Sequence, residues 1–183
     1  SLKISQIDKY LENSKTNNKH NNLGGLFKIK HKNHFVIMDI DKPPQKKFSK
    51  SYQSGPLSFE YFLDGTKIIT NSGFGGHISK KAELLSRLTA CQSTLTINET
   101  SITKFEKNEM INKVFGNSIQ NSFKSFDVSE INESDLIGCS ASNNGYEKKF
   151  GCTHKREVYL DKRDNFLKGI DHIFKAKDGY PIR

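Results

Sequence analysis

The most suggestive reactive pair in this 183-residue sequence is His154 and Arg156, two positions apart in CTHKREVYL. Residues two apart on a strand share a face. An imidazole that can move a proton would then stand beside a guanidinium that can hold a carboxylate or a sulfate. Facing inward, the couple must find carboxylate or ligand oxygens; facing outward, it is simply solvated. Beyond this pair the chemistry is thin. No Ser/His/Asp arrangement at a familiar spacing, no paired carboxylates in a cleft and no phosphate loop stand out. Gly73-Phe-Gly-Gly is glycine-rich, but no helix start clearly follows it, so it reads as a turn. His34, His77 and His172 read as surface or turn histidines, and His20 and His31 lie in polar stretches. Cys91, Cys139 and Cys152 fit no zinc or redox spacing. A Cys139–Cys152 bridge is one reading and buried thiols are the other.

The elements that must position these residues are mostly strands. GPLSFEYFLDGTKIITNSGFGG, residues 55–76, reads as a hairpin. Leu57, Phe59, Tyr61 and Leu63 alternate, Asp64-Gly65 makes a type I′ turn, and Ile68 and Thr70 return on the same face. That register pairs Tyr61 with Ile68 and Phe59 with Thr70. Before it, Leu26–Lys30 and His34–Ile40 are strands joined at Lys32-Asn33, and Pro43-Pro44 ends the second. After it, residues 79–88 have room for one helical turn, residues 89–97 read as a strand, and residues 110–128 as two edge strands. Lys148–Leu160 and Phe166–Phe174 form the clearest hairpin. Phe150, Cys152, His154, Arg156, Val158 and Leu160 share one of its faces. Residues 1–12 carry apolar positions at near-helical spacing, and residues 13–22 are a polar linker with nothing to bury. Some eight to ten short strands with regular turns argue an all-β antiparallel sandwich with a short N-terminal helix.

Composition narrows the function classes. Apolar content is 34%, and no stretch approaches the ~20 apolar residues that a membrane span requires. The net charge of +9 allows an anionic partner, nucleic acid or acidic polysaccharide, or merely a lysine-rich solvated surface. The lysines are scattered, the arginines are four, and no RNA-binding signature occurs, so nucleic acid is the weaker expectation. The chain opens at Ser1 without a Met, as expected of a piece of a longer protein.

Four runs in order carry a resemblance: GGLFKIKHKNHFVIMDIDKPP, SGPLSFEYFLDGTKIITNSG, RLTACQSTLTI and NNGYEKKFGCTHKREVYLDKRDNFLKGIDHI. Together they resemble the C-terminal β-domain of the heparinase II/III-like family, nearest to its bacterial branch, over about Leu23 to Arg183. These are polysaccharide lyases in which an α-helical toroid precedes an antiparallel β-sandwich. The resemblance divides the chain into a helix remnant and linker, 1–22, and the sandwich, 23–183. It implies an acidic, uronate-containing polysaccharide as partner, a helical toroid domain in the same parent protein, and the periplasm or cell envelope as location.

The resemblance also implies what has been replaced. The family's His-x-His segment before Leu-Ser-Phe falls on Ser51 and Gln53, its aspartate ligand on Asn71, and its last histidine ligand on Gln92. The histidine of its His-Asp-Gly-Tyr motif falls on Asn143, with Gly145 and Tyr146 kept. Neutral amides are poor zinc ligands, so no cofactor is expected, and Gln53, Asn71 and Gln92 are expected to bond one another instead. Arg87, Gln92, Asn143, Tyr146, His154 and Arg156 are expected to face the glycan. In the family the catalytic Tyr and most of its partners come from the toroid, and the catalytic-site His of the His-x-His segment falls on Ser51, so these residues alone are not expected to be catalytic.

Overall fold

The structure, a computed structural model, describes residues 22–175. The helix expected over residues 1–12, the linker up to residue 21 and the C-terminal residues 176–183 lie outside the described residues. Nine strands make two antiparallel sheets. The first sheet runs in order through β1 (Asn22–Leu23), β2 (Leu26–His31), β3 (His34–Asp39), β4 (Phe59–Leu63) and β5 (Thr66–Ile69). The second runs β6 (Ser125–Asn132), β7 (Leu136–Asn143), β8 (Cys152–Asp161) and β9 (Phe166–Lys175). The expected all-β antiparallel sandwich is therefore the fold.

Period-two sequence makes the two inner faces. Phe27 and Ile29 of β2, and Val36 and Met38 of β3, point inward between exposed or half-buried neighbours. They meet Cys139 and Ala141 of β7 and Val158 and Leu160 of β8 in one apolar cluster. Each such side chain stabilises by roughly 1.5–3 kcal/mol on burial. The Cys139 thiol donates to the Met38 sulfur across the two sheets, 3.7 Å away. Burial pushes that thiol up to about 12, leaving it unreactive. All three cysteines are free, so the Cys139–Cys152 bridge is not made.

Asp64 and Gly65, at φ 51° and 75°, close the β4–β5 hairpin as the dipeptide predicts. Leu63 pairs with Thr66 and Phe62 with Lys67, but a bulge then shifts the ladder so that Tyr61 faces Ile69. Ile68 is thereby turned to solvent, 53% exposed, and the expected Tyr61–Ile68 pair is replaced. Two further segments differ from expectation. Residues 89–97 do not form a strand; they open on a 3-10 turn, Thr89–Cys91, and continue as a loop. Residues 110–128 begin not as an edge strand but as a helix, which the Asn108 side chain caps by accepting from the N–H groups of Met110 and Ile111.

Three α-helices occur among the described residues: α1 (Lys80–Ser86), α2 (Glu109–Phe115) and α3 (Glu147–Phe150). The first follows Gly73-Phe-Gly-Gly with Ser79 as its cap, so a helix does start shortly after the glycines. Beside the second sheet, loop residues Tyr52, Ile97, Ile102 and Phe123 pack with Tyr146, Phe150 and Cys152 in a second apolar cluster.

Candidate functional site

The inner face of β7 and β8 changes character along its length. Opposite the first sheet it carries Cys139, Ala141, Val158 and Leu160; further along it carries Asn143, His154 and Arg156. The physical reason lies in what packs against it. Loops bring backbone N–H and C=O groups with no ladder partner, and a polar floor satisfies them.

Arg156, 7% exposed, uses its fork in two directions. Nε and Nη2 donate to the two oxygens of Asp171 at 2.7 and 2.9 Å. Nη1 donates to the carbonyls of Leu57 at 2.9 Å and Ser93 at 2.5 Å, and the guanidinium lies over the Phe59 ring, 5.4 Å from its centroid. Leu57, fully buried at φ 58°, is a bulky residue in the left-handed region, a conformation worth roughly 1–3 kcal/mol of strain. Its carbonyl is aimed at Arg156, and this contact helps hold the turn.

His154 completes the carboxylate's shell. Its Nε2 donates to Asp171 Oδ1 at 2.7 Å, while Nδ1 accepts from the Asn143 amide at 3.2 Å. The Gly145 N–H donates to Asn143 Oδ1, which fixes the amide's orientation and so assigns the ring proton to Nε2. Burial would raise the Asp171 carboxyl, but hydrogen bonds from His154 and Arg156 and the guanidinium charge of Arg156 outweigh it and hold the group well below the usual carboxylate range. The inward-facing His/Arg couple thus finds its carboxylate. Asp171 itself was missed in the sequence. The signal was the hairpin register: β8 and β9 pair Asp161 with Phe166 and, five steps on, Arg156 with Asp171.

The other expected site residues lie in the same floor or beside it. Tyr146 accepts from the Ile97 N–H at 3.2 Å and faces the carbonyls of Thr100 and Leu95 at 3.0 and 3.1 Å. Its hydroxyl fixes the 95–100 loop, and burial pushes it up to about 12, far from a working acid or base. Arg87, fully buried, donates to the carbonyls of Tyr52 and Ser49 at 2.8 and 2.9 Å and stacks on Phe105. It fastens the 45–54 loop to α1. Burial lowers its pKa, although a guanidinium stays charged. All six residues expected to face a glycan are between 0% and 8% exposed.

The amides do not form the expected cluster. Asn71 Oδ1 accepts from the N–H and hydroxyl of Ser93 at 2.8 and 3.0 Å, and its Nδ2 donates to Ser58 at 3.4 Å. Gln92 donates to the Ser86 carbonyl at 2.7 Å and packs against Gly55, where a Cβ would come within 3.0 Å of its Cγ. Gln53 is half-buried. The three stand around the Gly55–Ser58 turn, yet no hydrogen bond among the described residues joins one to another. Asn71 and Gln92 spend their donors and acceptors on serines and backbone instead.

This donor set does not fit the zinc ion that some members of the resembling family hold. Neutral amides spent on serine and backbone partners cannot replace imidazole and carboxylate. Among the described residues no three His, Cys, Asp or Glu side chains gather as a metal site. His34 also departs from the surface role expected of it. It is buried, with Nδ1 2.8 Å from the Tyr61 hydroxyl.

A two-sheet antiparallel sandwich is the architecture the four ordered runs imply. The family model for the heparinase II/III-like C-terminal domain matches residues 14–183. The chain belongs to that family. No curated protein and no solved structure matches it.

Proposed function

We propose that this domain lines the substrate cleft of a polysaccharide lyase that acts on acidic, uronate-containing glycans by β-elimination, and that it supplies no reacting group of its own. One observation carries the second half of the reading. The imidazole of His154 has both nitrogens engaged, by Asn143 and Asp171, and Tyr146 is buried with its hydroxyl bound to backbone. Removal of a proton α to a uronate carboxylate needs a base with a free lone pair, an acid and a cation for the carboxylate. Within the floor described above these groups position loops instead. The family supports the first half, since in its lyases the β-domain closes a substrate cleft whose Tyr and most catalytic partners come from a preceding helical domain.

The test is an assay of the full-length protein for 4,5-unsaturated uronate products, read by ultraviolet absorbance across a panel of acidic polysaccharides. Product formation supports the reading, and inactivity on every member of the panel overturns it. A second reading, a glycan-binding or purely architectural module without lyase chemistry, is favoured by the amides at Gln53, Asn71 and Gln92. A full-length protein that binds acidic glycans yet leaves them intact would decide for it.

A further inference from the structure

The arginines expected to meet a glycan are buried. Arg156 is neutralised by Asp171, and Arg87 is sealed against Phe105 and two carbonyls. An acidic ligand must find its cation elsewhere. Among the described residues, cavities open on the loop layer, three of them sizeable. One of about 790 Å³ is lined by Glu106 beside Lys104 and Lys107, and one of about 830 Å³ by Glu83 and Glu109 as well as lysines. The third, of about 490 Å³, is lined by Lys104, Lys148 and Lys149 and by no carboxylate. We propose that this third cavity is the subsite that receives the anionic group of an acidic sugar; the inference rests on the glycan reading above and names where its charge is read.

The walls are built and not merely present. Ile102 and Tyr146, both buried, form an apolar floor of the kind that meets the C–H face of a pyranose, and Thr100, Ser101, Gln120 and Asn121 supply hydroxyls and amides at the rim. Asn121 is fixed at both ends. Its Oδ1 accepts from the Lys104 N–H at 2.5 Å and its Nδ2 donates to the Ile102 carbonyl at 2.8 Å. Gly145 lets the chain pass Ile102, since a Cβ there would come within 2.4 Å of that side chain. Lys149 is tethered to the Thr100 hydroxyl at 2.8 Å, which leaves two of its three N–H donors for a ligand. None of the three lysines forms an ion pair among the described residues, and Lys149 also lies over the Phe150 ring, 5.0 Å from its centroid. The cavity also continues from the floor, because Gly145 and Tyr146 directly follow the strand that ends at Asn143.

The experiment titrates the full-length protein with three trisaccharides: an unsulfated uronate, its sulfated counterpart and a neutral analogue. The wild type is expected to bind both acidic ligands and not the neutral one. The triple variant K104Q/K148Q/K149Q should bind about tenfold or more weakly with a shallower salt dependence. The matching triple arginine variant should keep the affinity, and an unchanged thermal unfolding midpoint will show the glutamine variant folded. A preference between the two acidic ligands distinguishes sulfate from carboxylate as the group read. If the glutamine variant binds acidic ligands like the wild type, the subsite is wrong while the glycan reading stands. If the wild type binds no acidic glycan and instead binds duplex DNA with steep salt dependence, both fall.

Discussion

Asp171 stands at the open end of the buried network, 38% exposed, with His154 and Arg156 behind it at 1% and 8%. Replacing it by Asn leaves a buried guanidinium without its counter-charge, and we expect a loss of about 1–3 kcal/mol after allowing for solvent screening. The sign with pH follows from its lowered pKa. The charged pair contributes fully above the unfolded carboxylate value of about 3.9, and that contribution fades as pH falls below it. Thermal unfolding from pH 7 to pH 2 should show this acid loss in the wild type and much less in Asp171→Asn. Asp39 runs the other way. Burial raises its carboxyl to about 6, with the nearby Asp41 charge adding to the rise. The folded protein therefore holds that proton where the unfolded chain releases it, and stability falls as pH rises from about 4 through 6. Asp39→Asn should accordingly stabilise the protein by about 1–2 kcal/mol at pH 7 and have little effect near pH 4. At this scale the sequence was half legible. Strict alternation placed His154 and Arg156 on one face, but the carboxylate that answers them lies 15 residues further on and emerges only from strand register. His34 was misread because a histidine beside a turn looks like a surface residue until Tyr61 on the neighbouring strand, whose hydroxyl meets its Nδ1, is known.

Strands with apolar alternation were readable, and segments rich in Ser and Thr were not. In residues 89–97 the alternating threonines resemble a strand, yet Ser93 donates to the Phe59 carbonyl and Thr94 to the Pro56 carbonyl. Side chains that bond backbone in this way compete with a ladder. The bulge in the β4–β5 hairpin was equally invisible, because the Asp-Gly turn fixes only the first two pairs. Helix α2 was hidden by the phenylalanine and valine that suggested edge strands; its real signal was Asn108 as cap. Asn108→Ala should cost about 1 kcal/mol, read in the midpoint of denaturant unfolding. Gly138→Ala tests the second sheet. A Cβ there would lie 2.4 Å from the Val158 carbonyl oxygen on β8, a backbone atom that cannot swing aside. Overpacking of this kind should cost about 1–3 kcal/mol, with the loss expressed as a lower unfolding temperature.

Across the molecule, two sheets share one apolar core, and beyond its edge the second sheet carries a polar floor under a lid of loops. The fold class followed from turn spacing and short alternating runs, and the family from the order of four of those runs. The floor's closure did not follow, because hydrogen-bond saturation depends on which loop lies over which strand. That closure is why the domain reads as a wall of the cleft and not as its reacting centre. The deciding comparison is ultraviolet absorbance at the unsaturated-uronate band, from an acidic polysaccharide incubated with the full-length protein and, separately, with the 183-residue chain. We expect product from the full-length protein and none from the chain alone. Product from the chain alone, abolished by His154→Gln, would contradict the account.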